Sequence, residues 1–147
     1  MASSLLLLAR RIGLATAGAA LLTACGTAGQ SDQTSAFAGI SPAETIRALG
    51  TEPFWNATVA GDRLTYSTPD DPAGQTAAVA RFAGNSGLAF NGALGGRSFD
   101  MVVTQGACSD GMSDRSYPYT VTLQIGEERR EGCAFTDRQP FSGPAAP

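Results

Sequence analysis

The chain has 147 residues, enough for one domain, and it contains neither histidine nor lysine, so all ten of its cationic residues are arginine. The missing histidine excludes Ser-His-Asp and Cys-His nucleophilic catalysis, and the missing lysine excludes Schiff-base chemistry and the P-loop type of phosphate site. Once the predicted leader is removed, eight arginines stand against thirteen acidic residues, a formal charge of −5 that offers nucleic acid no basic surface.

Residues 1–24 predict a lipoprotein signal peptide. Two arginines precede an eleven-residue apolar run, 12–22, which is too short to cross a bilayer of about 30 Å as a helix. The run ends in Leu-Thr-Ala-Cys25, which resembles the lipobox of bacterial lipoproteins, in which the cysteine is acylated and becomes the new N-terminus. The resemblance implies acyl chains on Cys25 that anchor the chain to a membrane of the cell envelope, facing the periplasm. Glycine at position 26, where some lipoproteins have aspartate, favours the outer membrane. The alternative to a lipoprotein signal is an ordinary signal peptide followed by an accidental cysteine.

The remaining two cysteines, Cys108 and Cys133, are expected to form a disulfide. They lie 25 positions apart (133 minus 108), and an oxidising periplasm lets such a pair form. Closing a loop of this length removes unfolded-state entropy equivalent to about 3 kcal/mol. The alternative is a redox-active or metal-binding dithiol, which the spacing disfavours because it is unlike Cys-x-x-Cys.

Next along the chain, residues 25–39 predict a flexible tether, because they are mostly small or polar. Ser41, Pro42 and Glu44 together form a capping box that predicts a short helix ending at Gly50. The folded domain is placed at 40–136, and residues 137–147 are expected to be a disordered tail.

Short strands separated by turns follow the predicted helix. Polar loops are expected at 69–74 and 127–131, and the strands are predicted at 54–60, 64–68, 76–83, 88–94, 97–104, 119–125 and 131–135. The clearest alternation of apolar and polar residues lies at 119–125. This pattern predicts an all-β fold, a small antiparallel curled sheet or barrel of seven to eight strands with one short N-terminal helix, lipocalin-like in style.

The first stretch with candidate binding residues is Gly-Thr-Glu-Pro-Phe-Trp at 50–55. Phe54 and Trp55 would form an aromatic binding lip, with Glu52 as its polar group. The alternative is that the aromatic residues close one end of the barrel, and we favour it because a single tryptophan in a small β domain usually packs.

The second stretch is 108–118, where short polar residues surround a glycine. Its candidate binding residues are Asp110, Met112, Ser113, Asp114, Arg115 and Tyr117. The acids lack the spacing of an EF-hand calcium loop, so neither a metal site nor a cofactor is predicted. The favoured interpretation is a turn in which aspartates accept bonds from backbone amides and Gly111 adopts positive φ.

Together these stretches resemble a family of uncharacterised bacterial lipoproteins and predicted membrane-associated proteins. The similarity rests on GTEPFW at 50–55, CSDGMSDR-x-YP at 108–118, GC at 132–133 and Arg-Phe-Ala-Gly at 81–84. The family is sometimes found beside META-type or lysozyme-inhibitor-type domains. The resemblance implies a periplasm-facing β domain and no known activity.

Two classes of function follow. In the first, the chain is a non-catalytic envelope module that supports envelope integrity or binds a protein, a glycan or a small ligand, with a lysozyme inhibitor as its most concrete form. In the second, it is a hydrolase that uses Glu52, Asp110 or Asp114 as its carboxylates. We favour the first class, because the sequence indicates turn-capping roles for these acids.

Overall fold

The structure, a computed structural model, describes residues 36–144 and contains eight antiparallel strands. They are β1 (Ile46–Thr51), β2 (Phe54–Ala60), β3 (Arg63–Thr68), β4 (Asp71–Ala83), β5 (Gly87–Leu94), β6 (Arg97–Cys108), β7 (Tyr117–Ile125) and β8 (Glu128–Thr136). The predicted all-β barrel is therefore confirmed. The predicted signal peptide, the lipid on Cys25 and most of the tether fall at 1–35, outside the described residues, as do the last three residues of the predicted tail.

The sheet closes into a barrel because β1 pairs with both β2 and β8. Ile46, for example, lies opposite Val59 on one side and opposite Thr136 on the other. Closure removes the unpaired strand edges that would otherwise template pairing with another chain. Every strand contributes apolar side chains to the interior, among them Trp55, Phe90, Phe99, Met101, Tyr119 and Leu123.

The helix predicted to begin at Ser41 is wrong. The capping-box hydrogen bond does form, since the Ser41 N–H donates to the Glu44 carboxylate at 2.9 Å, but it closes a single turn. Strand β1 begins two residues later, with Ile46 and Ala48 buried at period two and Leu49 between buried neighbours on the outer side. Pairing with strands on both sides outweighs the local helical preference of so short a segment.

Two regions predicted to be irregular are more ordered than expected. Strand β4 begins at Asp71, inside the predicted loop 69–74, after a register shift in its pairing with β3. In the predicted tail, Ser142 exchanges two backbone hydrogen bonds with Ser116, at 3.0 and 2.9 Å. The described part of the tail therefore lies against the barrel, because it has a backbone partner and an aromatic contact there.

The chain enters the barrel through residues that pack at the β4–β5 turn. The Phe37 N–H donates to the carbonyl of Gly84 at 2.7 Å, and Arg81 donates to the carbonyl of Ile40 at 2.8 Å. Ile40 is 1% exposed and belongs to the core. This contact gives the Arg-Phe-Ala-Gly stretch at 81–84 a structural role.

Among residues 36–144, no helix has the length and apolar character that a membrane crossing would need.

Candidate functional site

A disulfide between Cys108 and Cys133 fixes the β6–β7 loop, residues 109–116, to the outer face of the barrel. Cys133 pairs across the sheet with Leu49 of β1 and Thr120 of β7, and residues paired in this way share a face. The predicted disulfide is present. It ties the end of β6 to the middle of β8, so the loop lies over neighbouring strands.

The Asp110 carboxylate organises this loop. It accepts hydrogen bonds from the N–H groups of Met112 and Ser113 at 3.0 and 2.8 Å, from the Ser113 hydroxyl at 2.7 Å and from the Tyr117 hydroxyl at 3.1 Å. These bonds, with those from Ser113 the strongest, hold the pKa of Asp110 far below its ordinary value. Gly111 has φ of +71°, as predicted for this turn. The favoured interpretation of the acid as a turn cap is correct for Asp110.

The loop meets the other motif at Thr51, whose hydroxyl donates to the carbonyl of Asp110 at 3.0 Å. A groove of about 870 Å³ runs along this junction, and a second depression of about 340 Å³ adjoins it on the side of β2. We call the two together the motif groove. The larger part is lined by residues 49–52, 108–112, 120–122 and 129–133. Stretches that lie almost sixty positions apart in sequence thus share one surface.

Trp55 does not line an open lip; it is 1% exposed and packs in the core against Tyr66, with ring centroids 6.3 Å apart. Two glycines make room for it. A Cβ on Gly50 would lie 2.0 Å from the indole Nε1, and one on Gly132 would lie 2.0 Å from the Leu49 carbonyl oxygen and 2.9 Å from the indole ring. Close packing therefore explains why the first position of GTEPFW and of the closing GC is glycine and not a residue with a Cβ.

The exposed side chains of the motif groove differ in chemistry from its rigid frame. Phe54 is 51% exposed and Met112 is 69% exposed, and both line the smaller depression. Glu52 is exposed in the larger part, and Asp114 is exposed on the loop. Two of the four large apolar side chains that are exposed among residues 36–144 therefore lie beside the loop. An exposed apolar pair of this kind is suited to contact with a partner.

The remaining predicted residues form a small aromatic cluster beneath the loop. Tyr117 is 1% exposed and packs on Phe135 and Phe141, with centroids 6.0 and 5.6 Å away. The Arg115 guanidinium stacks 4.5 Å from the Phe141 ring, and its Nε–H donates to the Pro144 carbonyl at 2.9 Å. Tyr117 and Ser113 thus support the loop from inside.

An ion pair that lines the groove was absent from the predicted set. Arg129 and Glu131 form an exposed ion pair at 2.9 Å in the larger part of the groove. They belong to β8, although residues 127–131 were expected to form a hairpin end. The alternation of Arg129 and Glu131 with Arg130 and Gly132 was the pattern that could have placed them on the outer face.

Within the described part of the chain, no three acidic, cysteine or histidine side chains are grouped closely enough to hold a metal ion. Comparison with protein-family models, with curated proteins and with solved structures found no match. The resemblance to uncharacterised lipoproteins stays a prediction.

Proposed function

We propose that this chain is a lipid-anchored protein of the bacterial cell envelope that binds a partner, without catalysis, through the motif groove. One observation carries the proposal: the GTEPFW and CSDGMSDR stretches meet at the hydrogen bond from Thr51 to Asp110, and exposed Phe54 and Met112 flank that junction. A rigid frame that displays apolar side chains suits recognition, because little conformational entropy is lost on binding.

The chemistry of the groove favours binding over hydrolysis. Acid catalysis needs a carboxyl group whose pKa is raised towards neutrality. Asp110 has the opposite property, since its hydrogen bonds lower its pKa and hold it ionised. Its oxygens also support the loop, so a reaction that changed their charge would disturb the frame.

The partner proposed here is an envelope protein or a glycan. An exposed aromatic ring and a flexible methionine can pack against a protein surface or a sugar face, and Glu52, Arg129 and Glu131 provide hydrogen-bonding groups beside them. Charges of both signs alternate along the groove. This mixture gives no preference for nucleic acid or for an anionic lipid surface.

The binding proposal is tested with residues 26–147, produced without the lipid, and two immobilised probes: peptidoglycan fragments and c-type lysozyme. We expect saturable binding to one of them, and a loss of at least tenfold in affinity in Phe54→Ser/Met112→Ser. The matched control is Phe82→Ser/Val102→Ser, which removes two apolar side chains of similar exposure, 65% and 44%, from the outer face of β4 and β6. Equal binding by both double variants, or binding to neither probe by the unmodified domain, would contradict the proposal.

The anchor is tested separately in the full chain. Cys25→Ser is expected to give protein that is either uncleaved or soluble, because the acylated side chain is removed. Cell fractionation and mass spectrometry of the mature N-terminus are the measurements. Fully processed mutant protein that still sediments with membranes would refute the lipid assignment without bearing on the groove.

A further inference from the structure

A second cavity lies at one end of the barrel and shares one lining residue, Arg130, with the motif groove. It has a volume of about 210 Å³ and opens among the β3–β4, β5–β6 and β7–β8 hairpins. We call it the barrel mouth. The residues that matter for its chemistry are Tyr66, Asp71, Gln75, Arg97, Glu128 and Arg130.

The Tyr66 hydroxyl is the unusual group of the mouth. Its residue is 6% exposed, yet the hydroxyl has no hydrogen-bond partner among residues 36–144. A buried hydroxyl without a partner is costly, and native proteins satisfy nearly all such groups. Burial also raises the pKa of this phenol, so it remains a hydrogen-bond donor at neutral pH.

The charged side chains around the phenol are those that line the cavity. The Arg130 guanidinium lies 5.9 Å from the centroid of the Tyr66 ring, and the fields of Arg130, Glu128 and Arg97 all act on the phenol. Tyr66 and these charged groups therefore line the same cavity. Gln75 adds a side-chain amide to the same wall.

Donors outnumber acceptors in the mouth. Arg97 and Arg130 each donate to a different oxygen of Glu128, at 3.1 and 2.9 Å, so both oxygens of that acid are engaged. Asp71 is the other acid, and one of its oxygens accepts from the Gly74 N–H at 3.1 Å. Each guanidinium carries five N–H donors, which leaves both arginines with donor capacity beyond Glu128.

We propose that the barrel mouth binds a small oxyanion, a carboxylate or a phosphate, that accepts hydrogen bonds from the Tyr66 hydroxyl and from Arg97 and Arg130. The volume suits such a ligand, since one water occupies about 30 Å³ of liquid and the cavity therefore holds a molecule of only a few heavy atoms. Planar donor pairs on arginine match both oxyanion classes. The site lies at the end of the barrel and does not rest on the lipid anchor; Arg130 is the residue that it shares with the motif groove.

Trp55 provides a direct readout. It is the only tryptophan in the chain and stacks on Tyr66, with an angle of 25° between the rings. Because it is 1% exposed, dissolved ions cannot reach it to quench its fluorescence by collision. A saturable change in Trp55 emission that is weakened in Tyr66→Phe therefore reports binding beside Tyr66.

The experiment titrates residues 26–147 with sodium acetate and, separately, with inorganic phosphate, at an ionic strength held constant with sodium chloride. We expect a saturable change in emission with at least one of the two, and the stronger response identifies the oxyanion class. Tyr66→Phe keeps the ring and its stacking, and it should weaken the affinity about tenfold or more because it removes one hydrogen bond to a charged ligand.

Neighbouring arginines supply a matched pair of variants. Arg130→Gln removes a guanidinium from the mouth, whereas Arg129→Gln removes one from the outer face. We expect the first to abolish the response and the second to retain it, with melting temperatures confirming that both are folded. A linear response to both salts, as for a cavity that holds only water, would overturn the proposal. So would an unchanged affinity in Tyr66→Phe, or equal effects of the two arginine variants.

Discussion

The motif groove and the barrel mouth differ in which of their groups find partners within the protein. In the groove, a disulfide and the four bonds to Asp110 satisfy the frame internally and leave Phe54 and Met112 facing solvent. In the mouth, the apolar parts are buried and a polar group, the Tyr66 hydroxyl, has no hydrogen-bond partner within residues 36–144. The groove is therefore suited to a partner with a complementary shape and an apolar surface, and the mouth to a small polar ligand.

The largest effect is expected from removing the disulfide, which belongs to the frame of the groove. Cys108→Ala/Cys133→Ala should lower the stability by about 3 kcal/mol, because the unfolded chain regains the entropy of an open loop. Thermal unfolding in oxidising buffer measures the loss. The unmodified protein in reducing buffer is the control and should approach the variant. A melting temperature that neither change alters would show that the loop is held by its other contacts.

Gly132→Ala should have the next largest effect, since Gly132 lies between the groove and the core. The added Cβ would meet the Leu49 carbonyl, a backbone atom of the paired strand, at 2.0 Å. We expect a loss of about 2 kcal/mol as β8 and β1 move apart. Gly106→Ala is the control, because its Cβ would find its nearest neighbour at 3.9 Å. Chemical denaturation compares them, and equal midpoints would argue against the close packing.

Asp110→Asn tests the hydrogen bonding within the frame of the motif groove. The amide can accept fewer of the bonds from Ser113, Met112 and Tyr117, so we expect a loss of about 1 kcal/mol at pH 7, allowing for solvent screening. The folded pKa is lowered, so the stabilisation is present above the ordinary pKa of 3.8 and is lost as the pH falls through the folded value. The gap between the two proteins should be constant from about pH 5 to 8 and narrow below about pH 4. A gap that widens on acidification would contradict this sign.

Tyr66→Phe removes the hydroxyl of the barrel mouth and should change the free energy of unfolding the least. In a buffer without oxyanions, we expect a change within about 0.5 kcal/mol or a slight gain, because the lost hydroxyl has no partner among residues 36–144. Chloride buffer and chemical denaturation are suitable. A loss as large as that of Asp110→Asn would mean that the hydroxyl is bonded in the folded protein, and the contrast between the two regions would fail.

The sequence carried most of the fold, because alternating residues and glycine turns are local features. Strand 54–60 was predicted with its observed bounds, and the disulfide followed from counting cysteines. The helix predicted at Ser41 is absent because a true capping turn is followed by a strand, and one of the two partners of that strand, β8, lies far along the chain. No local pattern could reveal that β1 is the strand that closes the barrel.

The candidate site was predictable in part for the same reason. The residues of the loop at 109–116 were identified from their turn chemistry, and their placement against Thr51 was not, since it depends on the register of β1 and β8. Trp55 and Tyr117 were among the candidate binding residues, and both are buried, which for Trp55 agrees with the favoured interpretation that it packs. The barrel mouth gave no local signal, because Tyr66, Arg97 and Arg130 come from three different strands.

In the proposed function, a partner binds through the motif groove. The direct measurement is an amide NMR map of residues 26–147, titrated with soluble peptidoglycan fragments and with c-type lysozyme. We expect one probe to change amide chemical shifts mainly around the junction of the two motifs, at Thr51, Phe54, Met112 and Arg129. Shifts concentrated on the outer face of β4–β6, around Phe82 and Val102, or an unchanged spectrum with both probes, would contradict it.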